Sequence, residues 1–415
     1  MRKIAIVSHV LPPSPSGQAV ALYRLLSGMP REKYVLISRE DYEGDRGEDS
    51  ASVKLSARYY RLPPPYRLRI PGIAASRAAE YLNAGIAIRS RARQIAELVR
   101  REECGILIGC TGDLYDLPAA ALAGRRTGLP FVPWIFDDYV YQWTGISGRI
   151  ASRWEPVAIR DACALIVPNE HAQKEYERRY GIHGTIVRNP CHIPDLACLD
   201  GEERVFERGA AHIVYAGAVY HAQRDAFLNL IAAIPKLVPN RVLLHIFTAQ
   251  SAAELEAQGI AGPMVVRHPH IPHSEVAAIL RQADILFLPL AFRSPIQEVI
   301  RTSAPGKMGE YLSVGRPILA HVPADSFVSW YFRENGCGLV ADRDDSELLA
   351  SSIDQLLTDR QLGIELGIRA RSAAERDFEE ETVRAVFFEA IGSFTNARQH
   401  NEVRVVKIPA DEGKA

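Results

Sequence analysis

Short apolar runs alternate with longer stretches of helical periodicity along most of the chain. In the first half we predict strands at Lys3–Val10, Ile106–Cys110 and Phe131–Phe136, because short, continuous apolar runs are typical of strands covered on both faces. Helical periodicity is present at Gln18–Leu26, Leu117–Thr127 and Glu170–Tyr180. Repeated strand–helix alternation predicts βαβ units and therefore parallel sheets.

The same alternation starts again at Ala211. The predicted strands and helices of this second set are, in chain order, His212–Ala216, Asp225–Val238, Val242–Thr248, Ser274–Gln282 and Ile285–Pro289. A chain of 415 residues is too long for one core, so we expect two domains, over residues 1–195 and 205–376. The boundary falls in Asn189–Glu207, where turn residues replace periodicity, and the polar residues 396–415 are expected to fray.

Composition and charge narrow the class of protein. The chain is 47% hydrophobic with a net charge of −1, which is typical of a globular protein and gives no global field for nucleic acid. The run Ile4–Val10 is too short to span a bilayer and lacks a small-residue cleavage site, so we interpret it as a buried strand. Six cysteines without a Cys-x-x-Cys pair indicate free thiols. We therefore expect a cytoplasmic protein.

The segment Lys54–Arg101 is strongly basic. It holds eleven Lys and Arg against two Glu, together with tyrosines and three consecutive prolines. One interpretation is a solvated helix face. The other is a patch for peripheral contact with anionic lipid headgroups at the inner face of a membrane, or with a diphosphate-linked acceptor. We expect no nucleic-acid partner.

The stretch Arg301–Ala320, RTSAPGKMGEYLSVGRPILA, carries the chemistry of a ligand site. Pro305 suits the first turn of a helix, so the backbone N–H groups of Gly306–Met308 would point out of its N-terminus beside the amine of Lys307. Such a helix start binds phosphate. Glu310 would repel phosphate, but its carboxylate accepts hydrogen bonds from a vicinal diol, so we expect a ribose beside it.

An ordinary strand–helix junction is the alternative for this stretch. Ser, Pro and Gly are common at turns, and a lysine and a glutamate three residues apart often form only a surface pair. No Gly-x-x-x-x-Gly-Lys-[Ser/Thr] motif occurs, and no Gly-x-Gly-x-x-Gly follows an early strand. We therefore expect no nicotinamide dinucleotide and no other cofactor.

Several segments together resemble a known family, the GT-B glycosyltransferases of the large retaining group often called family four, or glycosyl transferases group 1. The similar segments are APGKMGEYLSVGRPILA, HIVYAGAV, HIPHSEVAAILRQADILFLPL, MRKIAIVSHVLPPSPSGQAVALYRLL and ALIVPNEHAQKEYERRYGIHGTIVRNPCHIP. The resemblance implies an α/β fold of two Rossmann-like, doubly wound parallel-sheet domains that face each other across a cleft. It also implies a closing helix, Glu380–Phe394, that returns to the first domain.

The resemblance further implies transfer of a sugar from a nucleoside-diphosphate sugar to a glycan, lipid-linked or small-molecule acceptor, with retention. We expect no metal, because Asp137 and Asp138 are contiguous and would point to opposite sides of a strand. The catalytic side is assigned to Lys307, Arg224 and Asp137. The donor-binding side is assigned to Gly17, Gly217, Thr302, Ser303, Ala304, Pro305, Gly306 and Glu310.

The chain departs from the family pattern at four places. Thr302 replaces a glutamate, so Thr302 and Ser303 are expected to position the sugar instead. Ser16–Gly17 replaces the glycine pair after the first strand. Arg224 alone remains of a basic pair, and Asp137–Asp138 replace a histidine after a middle strand.

Two alternative functions stay open. A nucleotide-sugar 2-epimerase has the same architecture and needs several carboxylates and histidines for proton transfer; His268, His270 and His273 keep it under consideration. A non-catalytic nucleotide-sugar-binding protein is the other, because the glutamate is missing at Thr302. Analysis of the reaction products distinguishes the three functions. A transferase forms a new glycoside, a 2-epimerase forms an epimerised donor, and a non-catalytic protein only binds the donor.

Overall fold

The computed structural model describes residues 2–42, 54–64 and 77–396, apart from residues 202, 204 and 240. In these ranges the first sheet has seven parallel strands in the order β3-β2-β1-β4-β5-β6-β7. The strands are β1 Ile4–Val7, β2 Tyr34–Ser38, β3 Arg58–Arg61, β4 Ile106–Cys110, β5 Phe131–Trp134, β6 Ile166–Val167 and β7 Thr185–Ile186. All residues of β1, β2, β4 and β5 are buried, as expected for strands between two helix layers.

Helices cover both faces of this sheet. They are α1 Gly17–Leu26, α2 Arg77–Arg101, α3 Asp116–Thr127, α4 Gly145–Arg160 and α5 Glu170–Tyr180. The short α6 Leu196–Leu199 follows in the segment between the domains. The Ser16 side chain caps α1 by accepting the N–H of Ala19. Asn169 caps α5 in the same way, and Gly181 ends that helix in the left-handed conformation.

The second sheet has six parallel strands in the order β10-β9-β8-β11-β12-β13. They are β8 Ala211–Ala216, β9 Val242–Phe247, β10 Val265–His268, β11 Ile285–Pro289, β12 Ile318–His321 and β13 Leu339–Ala341. The accompanying helices are α7 Arg224–Ala233, α8 Ala252–Ala257, α9 His273–Arg281, α10 Gln297–Thr302, α11 Lys307–Ser313, α12 Phe327–Asn335, α13 Ser346–Thr358 and α14 Arg360–Asp377. This strand order is doubly wound, and it places ligands at the carboxyl ends of the strands.

The last helix, α15 Glu380–Asn396, leaves the second sheet and packs on the first. Val383, Phe387 and Ile391 lie one turn apart on one helix face and are buried in the same apolar cluster as β1 and α1. The ring of Phe387 lies 5.0 Å from that of Trp134. The predicted fold class is therefore confirmed, including the closing helix.

The predicted elements differ from the observed ones in two instructive places. Helix α7 ends at Ala233 and tightens into a 3-10 turn, Ile234–Lys236, because Pro235 has no N–H for a further α-helical bond. Helix α10 was not predicted and contains Arg301 and Thr302, so the small-residue loop before α11 begins only at Ser303. Residues 65–76 of the basic segment and residues 397–415 of the tail lie outside the described ranges.

None of the helices in the described ranges combines the length and apolar character needed to cross a membrane. The six cysteines all lie within those ranges and form no disulfide.

Candidate active site in the interdomain cleft

Two helix starts, one from each domain, meet at the cleft. Gly17 begins α1, and Gly306 precedes the first residue of α11. A Cβ atom on Gly306 would lie 4.0 Å from the Cα atom of Gly17. The two backbones therefore approach each other where the carboxyl ends of the two sheets converge.

Lys307 lies at this junction and is held by an aromatic side chain. Its amine donates a hydrogen bond to the hydroxyl of Tyr215 and lies 3.7 Å from the centre of the Tyr215 ring. The Tyr215 hydroxyl in turn donates to the carbonyl of Ala218, at 2.7 Å. Lys307 is thus anchored to the turn that follows β8.

A side chain on Gly217, in that turn, would displace the amine of Lys307. A Cβ on Gly217 would lie 2.8 Å from the amine nitrogen of Lys307, and its φ of 132° is a conformation that other residues rarely adopt. Glycine at this position lets the lysine amine lie directly against the backbone. A phosphate placed here would meet both an amine and a bare peptide.

Burial lowers the pKa of Lys307 to about 7, and the negative charge of Glu310 only partly opposes this effect. The side chain keeps some accessible surface although protein surrounds it, as expected in a cleft. The protein alone therefore under-stabilises the ammonium. A bound anion would favour the charged form.

Glu310 lies one turn further along α11 and faces the other domain. Its Oε1 atom accepts a hydrogen bond from Nη2 of Arg24, on α1, at 2.9 Å. His273 also approaches it, with 3.8 Å between Nδ1 and the same oxygen. The carboxylate is therefore held on one side by the first domain.

The donor loop between α10 and α11 is clamped by two asparagines of the first domain. The side-chain amide of Asn169 donates to the carbonyl of Thr302 at 2.8 Å, and that of Asn189 donates to the carbonyl of Ala304 at 2.9 Å. The hydroxyl of Thr302 donates back to Glu298 at 3.3 Å, so it points into α10 and not into the cleft. Ser303 and Pro305 are half-buried in the clamped loop.

The start of α11 differs slightly from the prediction. Pro305 lies just before the helix, and its carbonyl accepts the N–H of Met308 at 2.9 Å. That N–H is consequently unavailable to a ligand. Among the described residues, the N–H groups of Gly306 and Lys307 have no protein acceptor.

Asp137 lies across the cleft in the loop after β5, not on the strand itself. Asp137 is exposed, and 51% of Tyr220, in the turn after β8, is accessible; the surrounding protein nevertheless raises the pKa of Tyr220, and the charge of Asp137 raises it further. Asp138 is buried and accepts the N–H groups of Val140 and Tyr141. Asp138 therefore shapes the loop, and Asp137 is the carboxylate that faces the cleft.

Arg224 is not brought beside Lys307. It starts α7 with its side chain exposed, and its Nε donates to the carbonyl of Gln258 at 2.8 Å. The guanidinium thus lies against the end of α8. Of the three residues assigned to catalysis, Lys307 and Asp137 border the cleft in this arrangement.

Sequence reasoning missed several residues of this site. Tyr215 anchors Lys307, and the hydroxyl of Tyr311 accepts the N–H of Ala216 at 3.0 Å, tying α11 to the end of β8. Arg24 offered one signal, a cation within the otherwise apolar stretch Leu22–Leu26. In the part of the chain that the structure describes, no three His, Cys, Asp or Glu side chains are arranged to hold a metal ion.

Comparisons with known proteins agree with this architecture. Residues 210–359 match the family profile described as Glycosyl transferases group 1. HepE from Anabaena, in complex with UDP and glucose, is 14% identical with a TM-score of 0.67, covering 95% of this chain and 100% of that one. Sucrose-phosphate synthase from Thermosynechococcus elongatus is 14% identical with a TM-score of 0.69, covering 96% and 100%.

A third solved structure is the apo form of the lipopolysaccharide outer core galactosyltransferase WaaB. It is 14% identical with a TM-score of 0.62, covering 95% of this chain and 99% of that one. A search of curated proteins finds no match. The profile match to glycosyl transferases group 1 spans the domain that carries Lys307 and Glu310, and the solved structures show that the whole chain has the GT-B fold of glycosyltransferases.

Proposed function

We propose that this enzyme transfers a sugar from a nucleoside-diphosphate sugar to a glycan, lipid-linked or small-molecule acceptor, with retention and without a metal. The observation that carries the proposal is the amine of Lys307, held against Gly217 in the cleft by Tyr215. The crystal structure of HepE holds UDP and glucose, which supports a nucleotide sugar as the donor here.

The diphosphate lies beside Lys307, Gly217 and Gly306. The bond between the anomeric carbon and the β-phosphate oxygen breaks, and negative charge develops on the leaving diphosphate. Lys307 stabilises that charge because its amine is held in position and shielded from water, and it is protonated once the diphosphate is bound. The residues present thus supply positive charge without a metal.

The ribose lies beside Glu310, whose carboxylate accepts hydrogen bonds from the 2′- and 3′-hydroxyls. One oxygen of Glu310 is held by Arg24, and the side chain keeps 24% of its surface accessible. This exposure leaves room for a ligand. Ser303, Ala304 and Pro305 would present the clamped loop to the diphosphate and the sugar, whereas the hydroxyl of Thr302 is bonded within α10.

The acceptor approaches from the first domain. Its hydroxyl oxygen bonds to the anomeric carbon on the face that the diphosphate leaves, and its proton passes to the departing phosphate oxygen. Asp137 faces this side and would orient the acceptor or a hydroxyl of the donor sugar. Closure of the two domains supplies proximity.

A basic face of the first domain would hold this acceptor side near a membrane. Tyr81 of α2 and Arg149 and Arg153 of α4 line a surface pocket of about 550 Å³. In the described ranges neither arginine has a carboxylate partner. We propose peripheral contact with anionic lipid headgroups at the cytoplasmic face of a membrane.

A two-step experiment tests the function. UDP-, GDP- and ADP-sugars are first screened for thermal stabilisation, and the selected donor is then incubated with candidate acceptors. A new glycoside with the donor's anomeric configuration, formed equally with and without chelator, is the expected product. An epimerised donor would replace the proposal with a 2-epimerase, and binding without turnover of any acceptor would favour a non-catalytic role.

A further inference from the structure

Arg24 lies where the first domain meets α11. The residue is only 5% exposed, although it carries a charge. Its guanidinium reaches Glu310 Oε1 at 2.9 Å, His273 Nε2 at 2.6 Å, the carbonyl of Pro190 at 2.6 Å and Glu380 at 3.5 Å. One side chain thus joins α1 to α9, α11, α15 and the segment between the domains.

The two oxygens of the Glu310 carboxylate have different surroundings. Oε1 is fixed by Arg24, whereas Oε2 has no hydrogen-bond partner among the described residues. A glutamate side chain loses rotamer freedom when it binds a ligand. By binding Oε1, Arg24 restricts the rotamers of Glu310 before a ligand binds and leaves Oε2 available to accept a hydrogen bond.

Glu310, with 24% of its side chain accessible, lies near the place where α1 and the start of α11 approach each other. Gly17 and Arg24 are two turns apart on the same face of α1, and Gly306 and Glu310 are about one turn apart at α11. Gly17 approaches Gly306 at one end, and Arg24 binds Glu310 further along. Helix α1 therefore reaches α11 at two points, Gly306 and Glu310, which lie about 6 Å apart along α11.

We propose that Arg24 is a positioning residue for donor recognition, which orients Glu310 so that its open oxygen accepts hydrogen bonds from the ribose diol of the donor. The proposal rests on the proposed function, in which Glu310 binds the ribose. Arg24 acts through Glu310 and selects for the ribose hydroxyls. It makes no contact with the diphosphate or the transferred sugar.

The experiment measures ribose discrimination by calorimetry. Dissociation constants are determined for UDP, 2′-deoxy-UDP and 3′-deoxy-UDP, or for the matching GDP or ADP set if the wild type prefers that base. We expect the wild type to bind at least one deoxy analogue about tenfold more weakly than UDP, because the lost hydrogen bond is to a charged group. Arg24→Ala should reduce this ratio to about threefold or less, and Glu310→Gln should reduce it similarly.

Arg384→Ala is the matched control. Arg384 donates to the carbonyl of Arg24 at 2.6 Å and to Ser27 at 3.2 Å, so its loss loosens the same contact between α1 and α15 without removing the guanidinium from Glu310. The control should keep the tenfold ratio. A ratio in Arg24→Ala equal to that of the wild type, with UDP and its analogues weakened alike, would overturn the proposal.

A second variant keeps the test decisive if Arg24→Ala does not fold. Arg24→Gln retains an amide donor for the carbonyl of Pro190 but loses the charge toward Glu310, and wild-type discrimination in this variant overturns the proposal equally. If the wild type binds none of the diphosphates, the proposed function fails and takes this inference with it. If Glu310→Gln lowers the ratio and neither Arg24 variant does, only the role of Arg24 is lost.

Discussion

Two opposing effects set the charge of Lys307. Removal from water destabilises the ammonium and Glu310 stabilises it, and the first effect is larger, since the pKa falls to about 7. A diphosphate beside the amine would add negative charge at short range and reverse this balance. Lys307 is therefore suited to carry its full positive charge when the donor is present.

We predict that Lys307→Ala lowers kcat about 100- to 1,000-fold, the usual cost of losing a donor that stabilises charge in the transition state. The free energy of unfolding should change by less than about 1 kcal/mol, because the buried amine contributes little net stability. Lys236→Ala is the control, since Lys236 pairs with Glu347 at 2.6 Å on the same domain. Turnover of Lys307→Ala within tenfold of the wild type would remove Lys307 from the chemistry.

The same pKa predicts proton uptake on donor binding. The pKa of Lys307 is about 7 in the free protein and higher when the donor is bound. Donor affinity is therefore highest below pH 7 and falls as the pH rises from 7 toward the bound-state pKa. Calorimetry with a nucleotide sugar at pH 8, in buffers of different ionisation enthalpy, should show uptake of about one proton. Lys307→Arg stays charged and should take up none. Absence of uptake by the wild type would contradict this prediction.

At the residue scale, proximity along the chain decided what could be predicted. Gly306, Lys307 and Glu310 lie within five residues, so a helix start alone brings them together. Tyr215 is 92 residues from Lys307 and Arg24 is 286 residues from Glu310. These partners meet only through the fold. The charge of Arg24 within an apolar stretch marks that residue as unusual but does not indicate its partner.

At the scale of elements, the turn after β8 and the start of α11 act as one unit. Hydrogen bonds of Tyr215 and Tyr311 join the two elements, and the absence of a side chain at Gly217 leaves space for the amine of Lys307. Neither element alone would hold the amine against a backbone. The unit explains why the glycine is as important to the site as the charged residues.

We predict that Gly217→Ala displaces Lys307 and weakens donor binding at least tenfold, because the new methyl group would lie 2.8 Å from the amine. Backbone strain should also lower the free energy of unfolding by about 1–3 kcal/mol. Gly262→Ala is the matched control, since Gly262 has a φ of 149° with nothing within 4 Å of its Cβ position. Both variants should lose stability, but only Gly217→Ala should lose affinity, as measured by denaturant unfolding and calorimetry. If Gly217→Ala binds the donor as tightly as Gly262→Ala does, the steric argument is wrong.

Elements with strong local patterns were predicted closely. Strand β4, helix α5 and strand β11 have the predicted bounds, because each combines an apolar or amphipathic run with a clear stop. Helix α10 was missed because its six residues are too short for a periodic signal and lie beside small loop residues. Short helices of this kind depend on tertiary contacts.

At the scale of the whole molecule, the donor loop belongs to both domains. Asn169, Asn189 and Arg24 reach from the first domain to the segment 302–310 of the second. The fold class could be predicted from the repeated alternation, but these side chains crossing the cleft could not, because Asn169 is locally a helix cap, Asn189 a turn residue and Arg24 a residue within α1. Movement of the domains would therefore shift the donor loop as well as close the cleft.

The basic face formed by Tyr81, Arg149 and Arg153 would determine how the whole molecule is oriented on a membrane. Arg149 and Arg153 lie about 6 and 12 Å along α4 from its cleft end, so a membrane bound there would lie beside the acceptor side. Charge reversal of both to Glu should weaken sedimentation with phosphatidylglycerol vesicles at least tenfold, since each basic residue contributes about 1 kcal/mol at an anionic surface. Binding should also weaken in high salt.

The matched control reverses two exposed arginines at the opposite end of the same domain. Arg31 precedes β2 and Arg126 precedes β5, so both lie at the amino ends of the strands, away from the cleft. Changing both to Glu alters the net charge equally but should leave vesicle binding within about threefold of the wild type, since charge distant from the bound surface is screened. If both double variants lose binding equally, attraction depends on net charge alone, and the face lined by Tyr81 and the two α4 arginines does not orient the enzyme on a lipid surface.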